Sequence, residues 1–232
     1  SLYRELLVMH DSEQKAKALF ELSFFWSDYD SAKALKYIEQ AEQVLGTKGS
    51  ANYFRGLASF YRAAAYFDTD AHKAKQYYLQ AEDQLKQPDQ RHHKAALNYR
   101  ARLWGSYGAL LQRDGKPQAY VNILLHKVIP MAIKLKDSTL LGNNYQNVAM
   151  ALMNLKAYGQ AEKYYDDALN LLEGRKNAEE QLFTLAVNAA RNSLFRSDTV
   201  KTKLFLDKAE RLATHLPSSS YLPIYHTVAG SY

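Results

Sequence analysis

The stretch Gly142–Leu172 reads GNNYQNVAMALMNLKAYGQAEKYYDDALNLL, and it decides the fold. Two apolar-periodic segments flank a short turn at Ala157-Tyr158-Gly159. In the first, Tyr145, Val148, Ala149 and Leu152 recur at helical spacing on one face. In the second, Tyr158, Ala161, Tyr165 and Ala168 do the same. Large and small residues alternate on both faces, so two antiparallel helices can approach closely and interdigitate. The stretch therefore predicts a helix, a tight turn, and a second helix packed back on the first.

Carried along the chain, the small residue of the first helix gives a series: Ser23, Ala58, Gly108, Ala149, Ala190 and Ala229. The small residue of the second helix gives another: Ala41, Ala81, Ala132, Ala168 and Ala209. This pattern resembles the tetratricopeptide repeat, in which an aromatic, a small and a large residue on helix A meet Tyr and Ala positions on helix B. The proline that often closes such a repeat is replaced here by Glu173-Gly174. The resemblance implies an all-α, right-handed superhelical solenoid of antiparallel helix pairs, with about five pairs and an extra helix. The expected repeats are 12–46, 51–87, 94–136, 138–174 and 177–214, with a partial repeat at 219–232, all in one array spanning 1–232.

Successive helix-A small positions lie 35, 50, 41, 41 and 39 residues apart, so the period is irregular. The excess falls at Gln87-Pro88-Asp89-Gln90 and around Gly115-Lys116-Pro117, where Pro117 suits a first helical turn. Pro130 lies inside the third helix B and predicts a kink. Asp30-Ser31, Asp137-Ser138 and Asp198-Thr199 are expected helix caps. Leu2, Leu6, Leu7 and Met9 suggest a short amphipathic helix, and Tyr221–Tyr232 a helix A with no helix B behind it. A solenoid normally ends on a polar cap, so a fragment of a larger protein is expected.

Composition narrows the function classes. With no cysteine, disulfides and thiolate metal sites are excluded. A net charge of +6 without a dense Lys/Arg run gives no nucleic-acid footprint. No apolar run reaches the roughly 18 residues of a membrane span. Gly105-Ser106-Tyr107-Gly108 lacks the Lys-Ser/Thr of a phosphate loop; its glycines are expected to let two helices approach closely. His92 and His93 are adjacent and point apart on a helix, while His10, His72, His126, His215 and His226 are scattered. Asp166-Asp167 and Glu179-Glu180 also diverge. No catalytic residue, metal site or cofactor is expected, and the chain does not read as an enzyme.

Tyr61, Tyr78, Trp104, Tyr107, Tyr145 and Tyr165 occupy packing positions, whereas Phe24, Tyr164 and Phe195 lie off them and are free to meet a partner. The family resemblance implies that helix A lines a concave, partner-binding surface. Helix-A residues expected to point off the packed face are Asn52, Arg55, Ser59 and Arg62, then Arg102, Ser106 and Gln112. Farther on they are Asn143, Gln146, Asn147, Met150 and Asn154, then Asn188, Arg191 and Asn192. This lining is rich in amides and arginine. Amides both donate to and accept from a peptide backbone, and Arg pairs with carboxylates, so the expected partner is an extended or acidic peptide or protein. Arg55 matches one basic position of the family's carboxylate clamp, but Ser59 stands where its Asn belongs, so chaperone-tail binding is not implied.

Arrays of this composition also resemble the input regions of bacterial signalling proteins, including sensor histidine kinases and DNA-binding regulators. That resemblance implies a ligand-driven change in superhelix or homodimer geometry. It is compatible with a periplasmic portion of a membrane-anchored protein and with a cytoplasmic one. A stand-alone cytoplasmic regulator that binds a response regulator or a peptide is the first alternative, and an enzyme with a site hidden in the array is the second.

Overall fold

The structure is a computed structural model that describes residues 10–175, 178–214, 216 and 228–230. The expected N-terminal helix at Leu2–Met9 lies outside the described residues, as does the last expected helix apart from helical residues 228–230. The described chain is helical almost throughout, with α1 (Ser12–Ser27), α2 (Ser31–Leu45), α3 (Asn52–Tyr66) and α4 (Ala71–Leu85). Then come α5 (His93–Arg113), α6 (Pro117–Ile123), α7 (Ile129–Leu135), α8 (Ser138–Asn154) and α9 (Tyr158–Leu172). The last two are α10 (Glu179–Phe195) and α11 (Thr199–Ala213). Short 3₁₀ turns at Gly46–Ser50 and Gln90–His92 precede α3 and α5.

Aspartate starts many of these helices. Asp11, Asp30, Asp70, Asp137 and Asp198 each accept a backbone N–H from the first turn at 2.8–3.0 Å, satisfying donors that have no partner within the helix. Three turns between consecutive helices share another device. Gly115, Lys156 and Ser197 adopt φ of 76°, 60° and 58°, and the next residue's N–H reaches back five residues: Lys116 to Leu111, Ala157 to Leu152, Asp198 to Ser193. A left-handed residue that closes a helix this way frees the chain to reverse at once.

At Pro130 the chain does something the sequence pattern did not indicate. Leu124–Val128 form a π turn between α6 and α7, with the N–H of Ile129 bonded to the carbonyl of Leu124. A proline ring collides with the carbonyl four residues earlier in an α-helix, and widening the preceding turn relieves that collision.

The chain forms two compact units, Ser1–Leu110 and Leu111–Tyr232. In unit 1, α1 packs on α2 and α3 on α4, and both α1 and α2 touch α3. Its core is aromatic: Phe20 stacks on Tyr61 at 5.1 Å, and Phe60 meets Tyr61, Tyr78 and Tyr99 edge-on. In unit 2, α6, the π turn and α7 pack on α8, α8 pairs with α9, α10 pairs with α11, and α9 packs on α10. The five helix-B alanines Ala41, Ala81, Ala132, Ala168 and Ala209 are all 0% exposed. At two places the backbone itself must be bare. A Cβ on Gly56 would lie 2.5 Å from Leu85 Cγ, and one on Gly142 2.8 Å from a Leu172 methyl. Each glycine is the fifth residue of its helix A, and each leucine ends the paired helix B. Gly105, expected to serve close approach, has nothing within 4 Å of where a Cβ would stand.

Candidate partner-binding face

In unit 1 the first helices of successive pairs bring polar groups together across three elements. Tyr61 on α3 donates its hydroxyl proton to Glu21 Oε1 on α1 at 2.6 Å. Its oxygen lies 3.0 Å from the hydroxyl of Tyr99 on α5. Tyr61 has one proton and it is committed, so Tyr99 must be the donor in that second bond. Arg102, one turn farther along α5, in turn hydrogen-bonds to Tyr99. The result is a directed chain from guanidinium through two phenols to an exposed carboxylate. Burial pushes both phenols above their ordinary pKa, so both stay protonated and the direction is kept.

Arg102 is fixed from a second side. Its guanidinium lies 5.1–5.5 Å from the ring centroids of Phe24, Phe60 and Tyr99, a cation–π arrangement on three rings. Beside it, Ser106 bonds to Tyr78, whose hydroxyl burial pushes up to about 12. Phe24, Ser27, Asp28, Ala64, Phe67, Tyr78 and Ser106 line a cavity of about 180 Å³. Phe24 is 43% exposed at its rim.

The sequence-derived residues of unit 1 divide. Arg102 and Ser106 belong to the arrangement just described. Asn52 is exposed and donates to the carbonyl of Gln87, and Arg55 is exposed. Arg62 pairs with Glu42 on α2 at 2.5 Å, and Ser59 is buried and donates to Gln84. In unit 2, Asn143 is exposed and accepts from Gln181; Asn154 is exposed, and Gln146, Asn147 and Met150 are half-buried. Asn188 and Asn192 are buried; Asn192 donates to the carbonyl of Tyr158 while its Oδ1 has no partner. Arg191 is half-buried with an unpartnered Nε, and Gln112 has an unpartnered Oε1. Of the six aromatic packing residues, Tyr61, Tyr78 and Tyr165 are buried; Trp104, Tyr107 and Tyr145 are only half-buried. Phe195 is exposed and stacked on Tyr158, and Tyr164 is half-buried against Tyr145.

Glu21 and Tyr99 were absent from the sequence-derived set. One signal pointed to them: a tyrosine buried at a packing position needs a partner for its hydroxyl. Among the described residues no group of His, Cys, Asp or Glu is placed to hold a metal ion, and no helix is long and apolar enough to cross a membrane.

No protein-family model and no curated protein matches the sequence. Solved structures do match in fold. Aspartyl phosphate phosphatase F from Bacillus subtilis superposes with a TM-score of 0.74 at 15% identity, over 95% of this chain and 57% of that one. A Rap protein complexed with competence and sporulation factor gives 0.63 at 17% identity, over 90% and 57%. A signal-transduction ATPase of Pyrococcus horikoshii with a tetratricopeptide repeat sensor gives 0.69 at 14% identity, over 98% and 34%. The chain thus spans little more than half of the first two structures. Its fold is the all-α, paired-helix fold of tetratricopeptide-repeat proteins.

Proposed function

We propose that the chain is a protein-interaction module and that α1, α3 and α5 of unit 1 present its binding face to an extended peptide or protein segment. The directed chain Arg102–Tyr99–Tyr61–Glu21 carries this reading. It fixes four polar side chains from three helices in one register, with opposite charges at its two ends. Groups already ordered before binding lose little further entropy on binding, which is what a recognition surface requires. Arg55 and Arg102 supply the contacts for an acidic group. In unit 2 the proposed contact residues are Asn143, Gln146, Asn147, Met150 and Arg191.

The test is to pan a random peptide library against the protein and measure recovered peptides against Arg102→Ala and Glu21→Gln. A loss of about tenfold or more in affinity, with helix content unchanged, is the expected result. Peptides indifferent to both substitutions would remove this face.

The array is further proposed as the input region of a larger signal-transduction protein, a histidine kinase or a DNA-binding regulator. Its fold likeness to part of an ATPase with a repeat sensor supports this. Reading the coding sequence on either side of the 232 residues decides it: a kinase or DNA-binding domain in the same chain is expected. A chain that ends within a helix of Tyr232 would select instead a stand-alone regulator that binds a response regulator or a peptide. Likeness in fold to the Rap protein solved with competence and sporulation factor favours that second reading.

A further inference from the structure

The cavity in unit 1 has an electrostatic character that its aromatic walls alone do not convey. It sits where two helices end. Ser27 is the last residue of α1 and Asp28 its cap; Ala64 lies in the last turn of α3 and Phe67 is its cap. A helix C-terminus carries partial negative charge, commonly matched by Lys or Arg in the last turn. Neither α1 nor α3 has a basic residue there. The Asp28 side chain is exposed, and the Ser27 hydroxyl 3.5 Å from it gives its proton instead to the carbonyl of Phe24 at 2.6 Å. Phe24 and Tyr78 line it as well, and aromatic rings attract cations. Arg102, the neighbouring cation, is held over Phe24, Phe60 and Tyr99 and bonded to Tyr99, and is not part of the wall.

Size limits the occupant. A volume of about 180 Å³ falls below the roughly 300–1,000 Å³ of small-molecule sites, but it accepts one long side chain. An apolar stem would lie along Phe24 and Ala64, with its charged end at Asp28 and the two helix ends.

Resting on the reading of unit 1 as an interaction face, we propose that this cavity is a specificity pocket for one lysine or arginine side chain of the bound peptide. The partner is then a segment of mixed charge, with a basic residue in the pocket and an acidic one toward Arg102.

The experiment uses the full chain, a random dodecapeptide phage library as the probe, and Asp28→Asn, Asp28→Lys and Phe24→Ala as variants, with helix content checked by circular dichroism. Recovered peptides should share a Lys or Arg at one position. Replacing that Lys or Arg by norleucine should cost about tenfold in affinity on the native protein. The same replacement should cost nothing on Asp28→Asn, which itself loses about tenfold for the basic peptide. Panning on Asp28→Lys should no longer select the basic position, and Phe24→Ala should weaken basic and norleucine peptides alike. Peptides that bind but share no basic residue, or whose norleucine penalty persists in Asp28→Asn, overturn the pocket and leave the interaction face standing. Recovery of no peptide overturns both.

Discussion

Tyr61 and Tyr165 are each 1% exposed and each occupies a packing position of its repeat, yet their hydroxyls meet opposite fates. Tyr61 links Glu21 to Tyr99, whereas the Tyr165 hydroxyl is buried without a partner. Removing a hydrogen-bonded hydroxyl costs about 0.5–1.5 kcal/mol, while removing an unpaired buried one relieves a desolvation penalty. Tyr61→Phe should therefore destabilise by that amount in urea unfolding, and Tyr165→Phe should leave stability unchanged or raise it by up to about 1 kcal/mol. Equal losses in both would show that the Tyr165 hydroxyl is satisfied. The glycines give a second opposed pair. Gly56→Ala gains about 1 kcal/mol of helix propensity but drives a methyl into Leu85, and overpacking of that kind costs about 1–3 kcal/mol, so a net loss is expected. Gly105→Ala meets open space and should stabilise by up to about 1 kcal/mol. The residue periodicity marked Tyr61 and Tyr165 alike as packing residues. It could not say where a hydroxyl or a bare Cα points, because those depend on a helix tens of residues away. Ser59 and Asn188 were placed off the packed face for a related reason. A helical wheel assumes one buried face, but 11 of 15 residues in α3 and 10 of 17 in α10 are buried, since such a helix touches its pair and its neighbours at once.

The helices themselves were largely legible, because their signals are local. Asp30, Asp137 and Asp198 cap as their positions indicated, and Asp11 and Asp70 add two more of the same kind. Two of these caps bear on the response to acid. Backbone N–H groups hold the Asp11 and Asp70 carboxyls below the ordinary carboxylate range, and His92 does the same to Asp89. A carboxyl depressed on folding contributes stability that is complete above its unfolded pKa of about 3.9 and lost as pH falls through the folded value. Asp166, raised by burial, acts with the opposite sign, but three groups stand against one. Urea midpoints should hold between neutrality and about pH 5 and fall below about pH 4; Asp70→Asn should flatten the fall. A midpoint that rises on acidification would contradict this. The turns were less legible. Gly115 announces a left-handed residue, but Lys156 and Ser197 take the same conformation 41 residues apart each time, with no such announcement in their side chains. A non-glycine residue there costs about 1 kcal/mol or more. Lys156→Gly should raise stability by up to about 1 kcal/mol, and a loss would mean that the Lys156 side chain contributes more than its backbone costs.

Across the whole molecule these costs are unevenly distributed. The positive-φ residues other than glycine, Lys136, Lys156 and Ser197, all fall in unit 2 among the described residues. Of the unpartnered buried polar atoms, those of Gln112, Tyr165, Arg191 and Asn192 lie in unit 2 and that of Ser23 in unit 1. Unit 1 has its stacked aromatic core, and its buried Glu82 is met by both Nε and Nη2 of Arg100 at 2.9 and 2.8 Å. Repeat arrays are stabilised mainly by each helix pair and its nearest neighbours, so local differences persist instead of averaging over the chain. Opening should then be easier in unit 2. Native-state hydrogen exchange should find the amides of α3 and α4 slowest and those of α8 to α10 at least about tenfold faster, equivalent to about 1.4 kcal/mol in opening free energy. Combining Tyr165→Phe with Lys156→Gly should narrow the gap by slowing α8 and α9 while leaving α3 unchanged. Equal protection in the two units, or slower exchange in α8 to α10, would mean that the unpaired groups and left-handed turns are compensated within unit 2. The hydroxyl and turn predictions above would then have to fail together.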